Sequence, residues 1–176
     1  MTGSTATARR PVELLLALGA IALATAAYLP LAADGPPPAR GLVGHVLGIT
    51  GILLMLFAET AYTWRKKVTR EGYGPLRHWM QAHVFAGLVG PYLVLLHSAF
   101  RFRGLAGVLA LTVLVVVASG IVGRFAYTAV PKVPAAPGAR RVLFLWWLLH
   151  VPLAAAMFVL AAVHVAGALY YASFLR

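Results

Sequence analysis

Five apolar stretches, each long enough to cross a bilayer, leave this chain few folds to choose from. They run over about Glu13 to Ala33, Leu42 to Thr63, His78 to Phe100, Gly104 to Val130 and Val142 to Leu175. A spanning helix advances about 1.5 Å per residue and needs roughly 20 apolar residues to cross a hydrocarbon layer of about 30 Å. None of the stretches has the period-2 alternation of a membrane strand. The expected fold is therefore an all-α membrane protein with five transmembrane helices. The fifth stretch exceeds the minimum and should tilt or project beyond the bilayer.

Helix breakers separate the stretches. Asp34-Gly35-Pro36-Pro37-Pro38 divides the first from the second. Trp64 to Arg77 is basic and carries Gly72 and Gly74. Arg101 to Arg103 is a short turn, and Pro131 to Pro137 holds three prolines. Such segments do not continue a helix. The expected organisation is an N-terminal helix with its Pro-rich linker over residues 1–41, then a four-helix bundle over 42–176. The first helix is expected outside that bundle, against lipid or a partner. Arg9-Arg10 ahead of it resembles the start of a secretory signal, but the helix is expected to stay in place.

Composition decides between lipid and water. The chain is 61% hydrophobic and has four acidic side chains in 176 residues. A soluble domain could not cover so much apolar surface with so few charges. A net charge of +11 would suggest nucleic acid in a soluble protein. Here the cations sit between apolar runs, which is the pattern of the positive-inside rule and of anionic headgroup contact. Nucleic acid is not an expected partner; membrane lipid is. The absence of cysteine excludes disulfides, thiolate chemistry and covalent Cys-x-x-Cys-His haem attachment.

Arg9, Arg10, Arg65, Lys66, Lys67, Arg70, Arg77, Arg124, Lys132, Arg140 and Arg141 fall on one side of the threaded chain, and Arg40, Arg101, Arg103 and Arg176 on the other. That asymmetry puts the N-terminus in the cytoplasm and the C-terminus outside; the expected location is the inner membrane of a prokaryote.

The histidines carry the chemistry. His83 and His97 lie fourteen residues apart on the third stretch, and His150 and His164 fourteen apart on the fifth. Fourteen residues rise about 21 Å and return to within about 40° of the same helix face. In a left-handed bundle they are two heptads, and the drift vanishes. The third and fifth helices run the same way, so depth matches His83 with His150 and His97 with His164. Two imidazoles facing each other across a bundle can serve as the axial ligands of a haem. Two such sites about 20 Å apart would span most of the bilayer. Zinc or non-haem iron would want clustered histidines and carboxylates, which the helix interiors lack.

Small residues agree with a bulky guest. Gly87 and Gly90 follow His83 on its own stripe, Ala154 and Ala161 lie on the stripe from His150 to His164, and the second and fourth helices carry Gly44, Gly48, Gly51, Gly107, Gly120 and Gly123. Close helix approach is the competing use of such residues. Arg124 is a candidate for an inner carboxylate group, Arg101 and Arg103 for an outer one. His45 is a candidate contact for the outer site or a quinone pocket. His78, Trp146, Trp147, Tyr170 and Tyr171 read as interfacial anchors. Glu59 is expected to pair with Arg65 or Arg124, the other reading being proton uptake at an inner quinone site. Pro91 and Pro152 could bend helices beside the candidate ligands.

The doubled His-x13-His pattern on alternate helices resembles the dihaem four-helix core of the cytochrome b superfamily, and the ferric-reductase and NADPH-oxidase transmembrane domain. The likeness covers roughly residues 42 to 174. It implies two non-covalent haem b groups, with His83, His97, His150 and His164 as ligands, and helices two to five forming the dihaem bundle. No flavin or NAD(P)H segment follows the fifth helix here. The helices that complete a quinol-oxidising site in respiratory cytochrome b are also missing. The expectation is an electron-transfer subunit rather than an autonomous enzyme, working between a quinone pool or external carrier and partner redox subunits. A non-redox structural or assembly subunit, and a small proton-coupled transporter using His45 and Glu59, remain the other classes.

Overall fold

The computed structural model describes residues 11–67, 75–129 and 137–174. All its regular structure is helical: α1 Val12–Leu31, α2 Leu42–Lys67, α3 Leu76–His97, α4 Gly104–Ala129 and α5 Pro137–Phe174. Each contains a window long and apolar enough to cross a membrane. The ends fall within a few residues of the stretches marked by the sequence. α2 runs on to Lys67, because Trp64, Arg65 and two lysines extend a helix without difficulty. α5 starts at Pro137, whose missing N–H costs nothing in a first turn. Its 38 residues give a rod of about 57 Å, well beyond one hydrocarbon thickness. Val130 and Leu175 lie outside the described residues.

α3 is the central helix, packed against α1, α2 and α4, while α5 packs on α4. Its spanning window is also the most buried of the five. Outward faces are apolar: Leu23 of α1, Val122 of α4 and Leu149 and Leu169 of α5 are more than 60% exposed. That surface suits contact with lipid, where an exposed leucine costs nothing. The inner packing forms two layers. Met55, Leu109, Val113, Met157 and Ala161 join α2, α4 and α5. Ala17, Val89, Leu93 and Leu96 join α1 to α3.

α1 keeps an outer position, since its spanning window is the least buried of the five, but it is tied to the other helices. It lies along α3, where the Tyr92 hydroxyl donates to Thr25 Oγ1 and that hydroxyl in turn reaches the Ile21 carbonyl at 2.7 Å. Its first turn carries Glu13, only 4% exposed, which forms an ion pair with Arg124 of α4. An acid in lipid must find a cation or be neutral, so this contact explains why α1 joins the other helices.

α2 and α3 run antiparallel in a register that repeats every seven residues. His83 faces Ala58, Gly90 faces Gly51 and His97 faces Gly44. The middle crossing brings the two backbones together. A Cβ at Gly90 would lie 2.8 Å from the Gly51 carbonyl oxygen, so only glycine fits. A seven-residue repeat is the packing period of a left-handed helix pair. α3 ends just past His97 in a left-handed turn through Ala99 (φ 49°) and Phe100 (φ 56°). The Phe100 N–H reaches Leu95 and the Ala99 N–H reaches Leu96, which satisfies two terminal carbonyls.

Candidate functional site

The four spaced histidines are half-buried and lie at two levels. His83 and His150 are within electrostatic reach of each other, and so are His97 and His164.

At the first level the Nδ1–H of His83 donates to the Ala58 carbonyl of α2 at 2.7 Å. A carbonyl can only accept, so Nδ1 carries the proton and Nε2 the lone pair. His150 reaches the same tautomer by another route. The Ser119 hydroxyl of α4 donates to the Val116 carbonyl at 2.8 Å, which turns its oxygen lone pairs toward His150 Nδ1, 2.6 Å away. In both rings the nitrogen suited to a metal is the one farther from the backbone anchor. Donation of the other ring N–H to a carbonyl or hydroxyl is the usual support of a metal-ligating histidine.

Both rings line one cavity of about 380 Å³. That volume falls in the range of cofactor and small-molecule pockets. Apart from these imidazoles, its charged or titratable lining is Glu59 and Arg124; the rest is apolar. Leu14, Ala17, Leu18 and Ile21 make α1 one wall, so all five helices contribute. Pro91 and Ala154 also line it; Pro152 does not. A Cβ at Gly87 would meet nothing within 4 Å, so this glycine opens onto free space. Gly90 does not share that role, since its missing side chain admits α2.

Arg124 sits at the cavity edge, and its Nε donates to Glu13 Oε1 at 3.1 Å. Gln81 Nε2 adds a donor to Glu13 Oε2 at 3.3 Å. Arg124, one of the two cations expected to pair with Glu59 and the one expected for an inner carboxylate group, is thus engaged by the acid of α1. Among the described residues Glu59 has no ion-pair partner.

Trp146 belongs to the site rather than to a lipid-facing belt. Its ring stacks on His150 with centroids 5.1 Å apart and planes 20° off parallel. Its indole N–H donates to the Ser119 carbonyl at 2.7 Å. Gly123 provides the space, for a Cβ there would collide with the indole. Trp147 is about half exposed, as an interfacial anchor would be.

At the second level the His97 Nδ1–H donates to the Gly44 carbonyl at 2.8 Å. Gly48 leaves room for the ring; a Cβ there would stand 3.1 Å from Nδ1. His164 of α5 lies within electrostatic reach of His97. The cavity does not extend here, since neither His97 nor His164 is in its lining. His45 is exposed and turns back to its own helix at the Gly41 carbonyl, 2.8 Å away. His78 is exposed beside Arg77. Arg101 and Arg103 are exposed past the end of α3.

Among the described residues no three His, Asp or Glu side chains converge as a metal cluster would require. The donor set at each level is a pair of imidazoles. Sequence reasoning missed Glu13 and Ser119. Glu13 had a signal, an acid in the first turn of an apolar helix. Ser119 had only its place beside Gly120.

Comparison with protein-family models, curated proteins and solved structures finds no match to this chain.

Proposed function

We propose that the chain is a membrane-embedded b-type cytochrome subunit, similar in plan to the dihaem cytochrome b and ferric-reductase transmembrane domains. One haem b is held by His83 and His150, a second by His97 and His164. The observation that carries the reading is that His83 and His150, on two different helices, line one cavity while their Nδ1 atoms are tied to acceptors behind them.

At the first level the residues fit the group. A pair of imidazoles suits a metal whose remaining ligands come from a macrocycle. The apolar walls suit a porphyrin face, and Gly87 leaves open space beside His83. Haem supplies a one-electron iron couple when bound. The chain's part is to hold the ring nitrogens, fix their tautomers and exclude water. The subunit would connect a quinone pool or an external carrier with a partner redox subunit. The uneven spread of basic residues supports an N-terminus in the cytoplasm and a C-terminus outside.

The test is the visible spectrum of the purified chain. Reduction should give b-type bands, with haem and polypeptide near two to one. A folded, colourless preparation, made with haem in excess, would sink the reading.

A further inference from the structure

We infer that Ser119 and Trp146 act together as the positioning device of His150. They set its tautomer and ring plane from α4, whereas the Nδ1–H of His83 is held by a main-chain carbonyl of α2. Its consequence for a bound metal rests on the cytochrome reading; its geometry does not.

Three contacts converge on one ring. The hydroxyl proton of Ser119 is committed to Val116, so a lone pair of Oγ is left for the His150 N–H. Trp146 precedes His150 by four residues, one turn along the same face of α5, and its indole covers the imidazole. The indole N–H closes the loop on the Ser119 carbonyl. α4 is shaped for this pair. Gly123 admits the indole, and a Cβ at Gly120 would touch His150 Cε1 at 3.4 Å. Ser119, Gly120 and Gly123 therefore form a socket into which Trp146 and His150 fit as a unit.

The two candidate ligands of this level differ in kind. The acceptor behind His83 is a main-chain carbonyl and survives any substitution of Ala58. The acceptor behind His150 is a hydroxyl and can be removed by one substitution. Loss of such a supporting partner typically weakens metal binding ten- to a hundredfold.

The experiment uses the full chain in detergent, with ¹⁵N-labelled histidine. The His150 ring signals are identified by their loss in His150→Gln. Wild type should show the Nδ1–H tautomer, with or without haem. Ser119→Ala should give a mixture of tautomers. In a His97→Ala background, which isolates one site, Ser119→Ala should release haem at least tenfold faster. Ser119→Thr, which keeps the hydroxyl, should restore both properties. Trp146→Phe should also speed release, although it keeps a stacked ring. Helix content by circular dichroism, unchanged from wild type, separates these effects from misfolding. An unaltered His150 tautomer in folded Ser119→Ala overturns the inference. A wild type that takes up no haem sinks the cytochrome reading, while the tautomer comparison still decides the positioning role.

Discussion

Arg124 near the end of α4 and Glu13 in the first turn of α1 form an ion pair across 111 positions of sequence, and it closes one edge of the cavity. Glu13 is buried, while the Arg124 side chain keeps 26% exposure. Removal of the cation strands a charge out of water. Arg124→Leu should destabilise the folded chain by about 3–5 kcal/mol. Glu13→Gln retains a hydrogen-bond acceptor and should cost less. The double variant should recover part of the loss, because neither charge is then unpaired. Thermal unfolding in one detergent, followed by circular dichroism, measures all three.

Gly87 and Gly90 occupy one stripe of α3 but should respond oppositely to alanine. In the haem-free chain Gly87→Ala adds a Cβ in open space and removes a flexible residue from a helix, which should stabilise by up to about 1 kcal/mol. Gly90→Ala drives a Cβ into the Gly51 main chain, which cannot swing aside as a side chain would. It should cost about 1–3 kcal/mol and loosen α2 from α3. Unfolding midpoints of the two variants provide the comparison.

Under the dihaem reading the ligands should fail in pairs. His83→Ala and His150→Ala should remove the same half of the b-band absorbance, and His97→Ala and His164→Ala the other half. A double variant within one pair should lose no more than either single one. Haem content by pyridine haemochrome counts the outcome.

Gly48→Ala should act on one level only. Its Cβ would press on the His97 ring and stretch the bond to Gly44. The expected result is reduced occupancy of the second haem with the first intact, read from the same spectra and haem counts.

Threading can be tested directly, because the chain has no cysteine to interfere. Asp34→Cys should react with a membrane-impermeant maleimide added to intact spheroplasts. Thr69→Cys should react only after lysis. The reverse pattern would invert the proposed orientation.

The helices were legible because hydrophobic length is a property of the chain itself, and the histidine levels were legible because fourteen residues is a helical period. What supports the histidines was not. Ala58 and Gly44 act through carbonyls, which every residue carries, so no side chain marks them. Ser119 meets His150 only through tertiary packing. The role of Trp146 is hidden because a tryptophan near a helix end looks the same in sequence whether it faces lipid or a neighbouring helix. Gly90 looks like Gly87 in sequence because spacing alone does not say whether a cavity or another backbone fills the gap. The position of α1 hinged on one carboxylate, whose partner lies on another helix.

The seven-residue register between α2 and α3 has a mechanical consequence. A slip of one residue shifts the helices by about 1.5 Å, enough to take both His83 and His97 beyond bonding distance of their acceptors at once. The Gly51–Gly90 crossing blocks any gradual slide between settings. Both levels of the molecule are thus indexed to one rigid ruler: a disturbance that moves either imidazole along α2 moves the other by the same increment.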